Sequence, residues 1–341
     1  MKANNPKVSV CMPNYNFGHL IGEAIQSVLE QTFPDFELII VDDASTDDSV
    51  AVIKRFSDER IRFYQNEVNI GRVKNINKSL SLASGDYVTI LPSDCTCLPD
   101  SLEKRVAVLD TDTGIGVACG GIDVMDEKSR ILSTHYPFQH SHVISGEDEF
   151  KKLIFGNQIP VITAMVRREC YSSLGLFNEA VTGAADFEMW LRICLNDYHV
   201  AFIPDVLARD REHPGDIAPY FSQSNLSGMN TYRVLKATFA SLPPDKKHLG
   251  SFEPQAVKAL ARKMLIRAWV NFLRGQGNLA RKNAGLAIAI DDSMLKDWKT
   301  AALFIASFFG WCLPLVRRLL PGPVKRAIYA AGRKALAVPG L

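Results

Sequence analysis

Apolar positions in the first hundred residues fall into two alternating patterns, each set off by polar turns. Val8 to Met12 is a short apolar run ending in the turn signal Pro13-Asn14-Tyr15-Asn16, and Leu20 to Gln31 then carries apolar residues at helical spacing. Phe36 to Val41 repeats the strand pattern and runs into the acidic cluster Asp42 to Asp48, whose carboxylates suit the start of a helix over Val50 to Phe56. A strand over Ile61 to Tyr64, a helix over Val73 to Ala83 and a strand over Tyr87 to Leu91 follow. Strands and helices alternating at this spacing predict right-handed βαβ units and a mostly parallel sheet.

After a helix over Leu102 to Asp110 the pattern changes. Strands are predicted over Val117 to Val124, Ile131 to Ser133, Val161 to Val166, Val200 to Ile203 and Val206 to Ala208, with helices over Gly146 to Phe155 and from near Asp186. From Pro219 the periodicity is almost wholly helical. Pro243-Pro244-Asp245-Lys246-Lys247 reads as a linker, and Met264 to Leu273 with Leu279 to Ile290 reads as an antiparallel helical hairpin. Ala301 to Val316 is apolar, broken by Gly310 and Pro314, and followed by Arg317, Arg318, Lys325, Arg326, Arg333 and Lys334. It falls short of the roughly 20 residues that span a bilayer. Two readings stand: an interfacial helix with a basic tail on an anionic membrane surface, or a core-packed helix with a solvated tail.

Composition narrows the field. With 341 residues, 47% of them hydrophobic, the chain can bury a large core. Its 39 basic and 37 acidic residues nearly cancel to a formal charge of +2, so nothing calls for a nucleic-acid partner. The 7 cysteines show no paired Cys-x-x-Cys spacing, which favours a reducing compartment over a structural zinc site. No apolar leader precedes Val8, and a cytoplasmic location is expected.

Candidate chemistry gathers where predicted strands end. The strand from Tyr87 delivers Asp94 to its carboxyl end, the edge at which open α/β sheets bind ligands. Read alone, Asp94 caps a turn ahead of a helix. No Gly-x-Gly-x-x-Gly and no Gly-Lys-Ser/Thr loop is present to cradle phosphates. Carboxylates at two strand ends, Asp42/Asp43 and Asp94, would therefore repel a nucleotide diphosphate unless a divalent cation lay between.

Taken in order, three N-terminal motifs are similar to the opening of family 2 glycosyltransferases with the GT-A fold. They are Val8-Ser9-Val10-Cys11-Met12-Pro13-Asn14-Tyr15-Asn16, Ala24 to Thr32, and Val41-Asp42-Asp43-Ala44-Ser45-Thr46-Asp47-Asp48-Ser49. Asn69-Ile70-Gly71, Ala83-Ser84-Gly85-Asp86-Tyr87 and the Asp94 loop follow in the family's order, and the likeness covers roughly residues 7 to 215. It implies a Rossmann-like, mixed but mostly parallel sheet flanked by helices, with a helical C-terminal extension. The expected limits are a catalytic domain over 1–218, with a nucleotide-binding half over 1–110 and an acceptor half over 111–218. A helical extension over 219–300 and the apolar and basic tail over 301–341 would follow.

The resemblance also implies roles. Tyr15 would stack on the nucleotide base, Pro13 would offer backbone contacts in the same loop, and Asp43 would accept from the base's imide nitrogen, which favours uracil or thymine. Asn69, Arg72 and Ser93 join the nucleotide site. Asp94 and His213 would hold Mn2+ or Mg2+ on the donor diphosphate, His213 from a loop closing over it. Pro92 stands where the family usually has the first Asp of its Asp-x-Asp signature, and Cys95 where another acid is common. Asn75-Ile76-Asn77 likewise replaces the family's Ala-Arg-Asn, so Arg72 or Lys74 would have to supply the missing cation.

Asp186 matches the family's catalytic base; by itself it would read as a helix N-cap. The expected activity is inverting transfer of a sugar from a UDP or dTDP donor to a hydroxyl of a glycan or lipid-linked glycan in surface-polysaccharide synthesis, in the cytoplasm or at the cytoplasmic face of the inner membrane. The rivals are a scaffold that kept the fold without the chemistry, for which Pro92 and Cys95 speak, and a sugar nucleotidyltransferase.

Overall fold

The computed structural model describes residues 5–212 and 225–296, which fall into two compact units. The first is built on one sheet. Its strands are β1 (Val8–Asn14), β2 (Phe36–Asp42), β3 (Ile61–Gln65), β4 (Tyr87–Ile90), β5 (Thr96–Cys97), β6 (Ile115–Met125), β7 (Ile131–His135), β8 (His142–Ile144), β9 (Met165–Arg167) and β10 (His199–Arg211). Between them lie α1 (Gly18–Leu29), α2 (Ser49–Ile53), α3 (Arg72–Ser81), α4 (Ser101–Leu109), α5 (Gly146–Leu153), α6 (Arg168–Leu174) and α7 (Ala185–Leu195).

The sheet runs β3-β2-β1-β4-β9-β6-β10-β5, with β7 added beside β6 and β8 beside β10. From β3 to β4 every pairing is parallel, and β9 then enters antiparallel to both β4 and β6. Buried-on-both-faces strands need helices above and below, and the sequence supplies them. Val8, Val10, Met12, Leu38 and Ile40 share one core with Ile21, Ile25, Leu102 and Val106 of α1 and α4. On the opposite face, α3 is tied down by Asn75, whose Nδ2 donates to the Val41 carbonyl at 2.9 Å. The parallel half carries the nucleotide-site candidates at the carboxyl ends of its strands, as its topology requires.

Two glycines of the recognised motifs have steric reasons. Gly71 precedes α3 with φ at 90°, the left-handed side that disfavours other residues. A Cβ on Gly85 would stand 2.7 Å from the Ser9 amide nitrogen and 2.8 Å from the Val8 carbonyl carbon.

Several boundaries differ from those the periodicity predicts. The two strands expected over Val200 to Ile203 and Val206 to Ala208 are one strand, β10, whose pairing with β6 shifts register between Ile203 and Val206. Pro204, lacking an amide donor, sits in that irregularity. The strand expected from Val161 begins only at Met165, because the Thr163 and Ala164 amides donate to the Pro160 carbonyl in a turn. The expected linker at Pro243 to Lys247 instead enters a 3-10 helix over Pro244–Phe252.

The second unit contains α8 (Asn225–Ala240), α9 (Glu253–Leu273) and α10 (Gly277–Ile290). Ala268 and Phe272 of α9 pack with Ala280 and Ala284 of α10, so the predicted hairpin is present and small residues let its helices approach. Among the described residues no helix is long and apolar enough to cross a membrane. His213 and the tail from residue 301 lie outside the described residues.

Candidate active site

Asn14, the buried last residue of β1, leads into a loop that turns at Asn16 with φ at 58°. Asn14 Nδ2 donates to Asp42 Oδ1 at 2.7 Å, while the Ser45 amide and hydroxyl donate to the two Asp42 oxygens at 2.9 and 2.5 Å. Asp42 thus knits the first two strand ends together. Tyr15, by contrast, is 45% exposed, leaving its ring available for stacking, and Pro13 lies at the end of β1 opposite Val41.

Asp43 is buried one residue beyond β2. Its Oδ1 accepts from Asn66 Nδ2 at 2.7 Å and from the Ile70 amide at 2.9 Å, and its Oδ2 accepts from the Gly71 amide at 2.9 Å. The carboxylate therefore organises the Asn69-Ile70-Gly71 loop. Asn69 is exposed, its side-chain oxygen taking a second bond from the Gly71 amide at 3.1 Å. Arg72 opens α3 on the surface, close enough to Asp186 for its charge to favour that carboxylate.

Ser93 is buried and Asp94 half-buried in the turn after β4. The Cys95 thiol donates toward Asp94 Oδ1 at 3.5 Å and Asp210 Oδ1 at 3.4 Å, so a second carboxylate, from β10, stands across the thiol from Asp94. Burial and these two charges push the Cys95 thiol well above its ordinary range. Arg211, also of β10, donates from Nε to the Asp94 main-chain oxygen at 3.1 Å, from Nη1 to the Asp126 carbonyl at 2.9 Å and from Nη2 to Glu23 Oε2 at 2.7 Å.

No group of three or more His, Cys, Asp or Glu side chains suited to a metal ion is found among the described residues. Two carboxylates nevertheless fit a hard cation such as Mg2+, which keeps several waters and borrows ligands from a diphosphate.

Asp186 lies in the first turn of α7, whose N-cap is Ala184. It is therefore not the cap, and its half-buried carboxyl takes a different set of partners. Burial raises its pKa, opposed by the Phe187 amide, the Arg72 charge, its own amide and Asn157, whose Nδ2 donates to Asp186 Oδ2 at 2.9 Å. Trp190 and Arg192 serve packing: Trp190 is buried, and Arg192 pairs with Glu188 at 2.9 Å and donates to the Leu176 carbonyl at 2.8 Å.

Sequence reasoning did not single out Asn157, Asp210 or Arg211. No spacing signal marks them, since they meet Asp186, Cys95 and Asp94 only through contacts 29, 115 and 117 residues apart.

The family model for glycosyl transferase family 2 matches residues 9–174. TuaG of Bacillus subtilis, a glycosyltransferase assigned to teichuronic acid biosynthesis, is 30% identical over 208 residues, spanning 60% of this chain and 79% of the relative. The Escherichia coli UDP-Glc:alpha-D-GlcNAc-diphosphoundecaprenol beta-1,3-glucosyltransferase WfgD is 29% identical over 196 residues, 58% of this chain and 72% of the relative. Among solved structures, the mannosyltransferase PcManGT of Pyrobaculum calidifontis, in complex with GDP-Man and Mn2+, shares the fold with a TM-score of 0.55 at 20% identity, over 98% of this chain and 88% of that one. A family 2 glycosyltransferase has no use for the chemistry of a sugar nucleotidyltransferase, and that rival falls away. With its ordered motifs, its GT-A sheet and these relatives, the chain belongs to glycosyl transferase family 2.

Proposed function

We propose that this glycosyltransferase is inverting, and that it moves a sugar from a UDP or dTDP donor to a hydroxyl of a glycan or lipid-linked glycan during surface-polysaccharide assembly. The observation that carries the reading is Asp186: a half-buried carboxylate at a helix start, within reach of the Arg72 charge and held by Asn157. Inversion needs a base on the face opposite the leaving nucleotide, to take the acceptor's proton as its oxygen attacks the anomeric carbon. Burial raises the Asp186 pKa toward the range in which a carboxylate is an effective base.

Tyr15 stacks on the base, Asp43 accepts from its imide nitrogen while bracing the Asn69–Gly71 loop, and Pro13, Ser93 and Arg72 complete the nucleotide site. Mn2+ or Mg2+, when bound by Asp94 with Asp210 and the diphosphate, would neutralise charge on the leaving group. Asp210 then offsets the loss of the carboxylate that Pro92 replaces. The UDP-glucose donor and the diphosphoundecaprenol-linked acceptor in WfgD's name support a nucleotide donor and lipid-linked acceptor here, and the Mn2+ complex of PcManGT supports the cation.

Calorimetric titration with UDP, dTDP, GDP and CMP, each with Mn2+ and with chelator, tests the donor site. Metal-enhanced binding of UDP or dTDP, weakened in Asp94→Ala, is expected. Preference for GDP or CMP would overturn the donor assignment. The anomeric configuration of the product, read by proton NMR, tests inversion: retention of the donor's configuration would contradict it.

A further inference from the structure

Asp186 has two oxygens, and a base that takes a proton along one line of attack must keep one of them aimed. Asn157 holds the other. Its Nδ2 lies 2.9 Å from Asp186 Oδ2, and its own Oδ1 accepts from the Ile159 amide at 3.1 Å. That second bond fixes the amide's orientation: an N–H facing Oδ1 requires the oxygen there, so the NH2 must face the carboxylate. The loop carrying Asn157 is anchored beside it, where Gln158 Nε2 donates to the fully buried Glu149 of α5 at 2.7 Å and the Thr163 and Ala164 amides close on the Pro160 carbonyl.

We propose that Asn157 is a positioning residue for the transfer reaction, locking the Asp186 rotamer through Oδ2 so that Oδ1 receives the acceptor proton. This rests on Asp186 being the base. A hydrogen bond to the charged form also favours ionisation of a carboxylate, so Asn157 and Arg72 both work against the upward push of burial on this half-buried base. The charged group facing Asp186 is Arg72 from α3, beside the helix-start amides of α7; Glu149 of α5 is bonded to Gln158, the residue next to Asn157, and its own titration is separated by Glu149→Gln.

The test uses the full chain with aspartate labelled by carbon-13 at the carboxyl carbon. The resonance missing from Asp186→Asn is that of Asp186, and its titration is followed in the native protein, Asn157→Ala and Asn157→Asp, each also carrying Glu149→Gln. UDP release from UDP-glucose and UDP-N-acetylglucosamine is measured in parallel. Asn157→Ala should move the Asp186 midpoint up by about one pH unit, and Asn157→Asp further, since a like charge then faces it. Turnover in Asn157→Ala should fall by roughly 10- to 100-fold, with UDP binding changed far less.

An unmoved midpoint in both variants, with any rate loss equal at every pH, would overturn the positioning role even where Asp186→Asn is inactive. Full turnover by Asp186→Asn would instead sink the base assignment on which it rests, whatever the midpoints do.

Discussion

Arg211 Nε donates to the main-chain oxygen of Asp94 across 3.1 Å, joining the end of β10 to the loop that carries the proposed metal carboxylate. The guanidinium is buried, and its remaining bonds reach Glu23 of α1 and the Asp126 and Ser129 turn. Shortening it to lysine removes the planar fork that spans three elements at once. Arg211→Lys should lower the affinity for UDP in Mn2+ by about tenfold, an effect of about 1.4 kcal/mol, while changing metal-free binding much less. Calorimetry with and without chelator checks this, and equal loss in both conditions would place the defect elsewhere than the Asp94 loop.

Asp43 contributes to nucleotide binding first through the loop it braces. Asp43→Ala leaves the Ile70 and Gly71 amides and the Asn66 side chain without their shared acceptor, so nucleotide affinity should drop by at least about tenfold. Tyr15→Ala should cost about as much with little effect on stability, because Tyr15 is 45% exposed. Thermal denaturation separates the two: the melting temperature falls in Asp43→Ala and holds in Tyr15→Ala.

Glu149 predicts a pH dependence of stability. Burial pushes its carboxyl up to about 7 from an ordinary 4.5, with Gln158 and Lys152 opposing. The folded state therefore binds a proton that the unfolded state has released between those values, and stability falls as pH rises through that window. The loss, complete above about pH 7, amounts to roughly 3 kcal/mol at 1.36 kcal/mol per unit. Glu149→Gln cannot ionise and should lose this slope, so the melting temperatures of the two proteins should separate between pH 5 and 8 by a widening margin in the variant's favour.

Glu37 is the buried centre of a strand-crossing network. It accepts from Ser9 Oγ at 2.6 Å, from the Ser84 amide and hydroxyl at 2.8 and 2.7 Å, and from the Arg62 guanidinium. Burial raises its pKa, but the Ser9, Arg62 and Ser84 bonds outweigh it and hold the carboxyl below the usual range. That stabilisation is present above pH 4.5 and is lost as pH falls through the lowered folded value. Glu37→Ala should destabilise by about 1–3 kcal/mol at pH 7, by leaving the Ser9 and Ser84 donors unsatisfied while the partly exposed Arg62 turns to water. Gly85→Ala should do comparable harm, because its methyl would strike the Val8 and Ser9 backbone. Chemical denaturation measures both.

The parallel half of the sheet was legible because β1, β2 and β4 are buried on both faces and carry apolar runs, as in Leu38 to Val41. The other half was harder for a physical reason. The three-residue β8 is too short to set a pattern, β5 has two residues, and Pro204 disguises β10 as two strands. At the site, residues at strand ends such as Asp43 and Asp94 announced themselves by position. Asn157, Asp210 and Arg211 did not, since what matters about them is which atom they meet across the fold. The family match ends at residue 174, short of Asp186 and of Asp210, so the chemistry proposed for those two rests on geometry and on the family's motif order.

Asp186 as the base of an inverting transfer is the claim on which the rest depends. The most direct measurement is turnover by Asp186→Asn, as UDP release from UDP-glucose and UDP-N-acetylglucosamine, alongside its affinity for UDP and its melting temperature. Loss of turnover by a factor of about a hundred or more, with UDP affinity and stability retained, is the predicted result. Turnover within a few-fold of the native protein would contradict the account and move the search for the base elsewhere in the acceptor half.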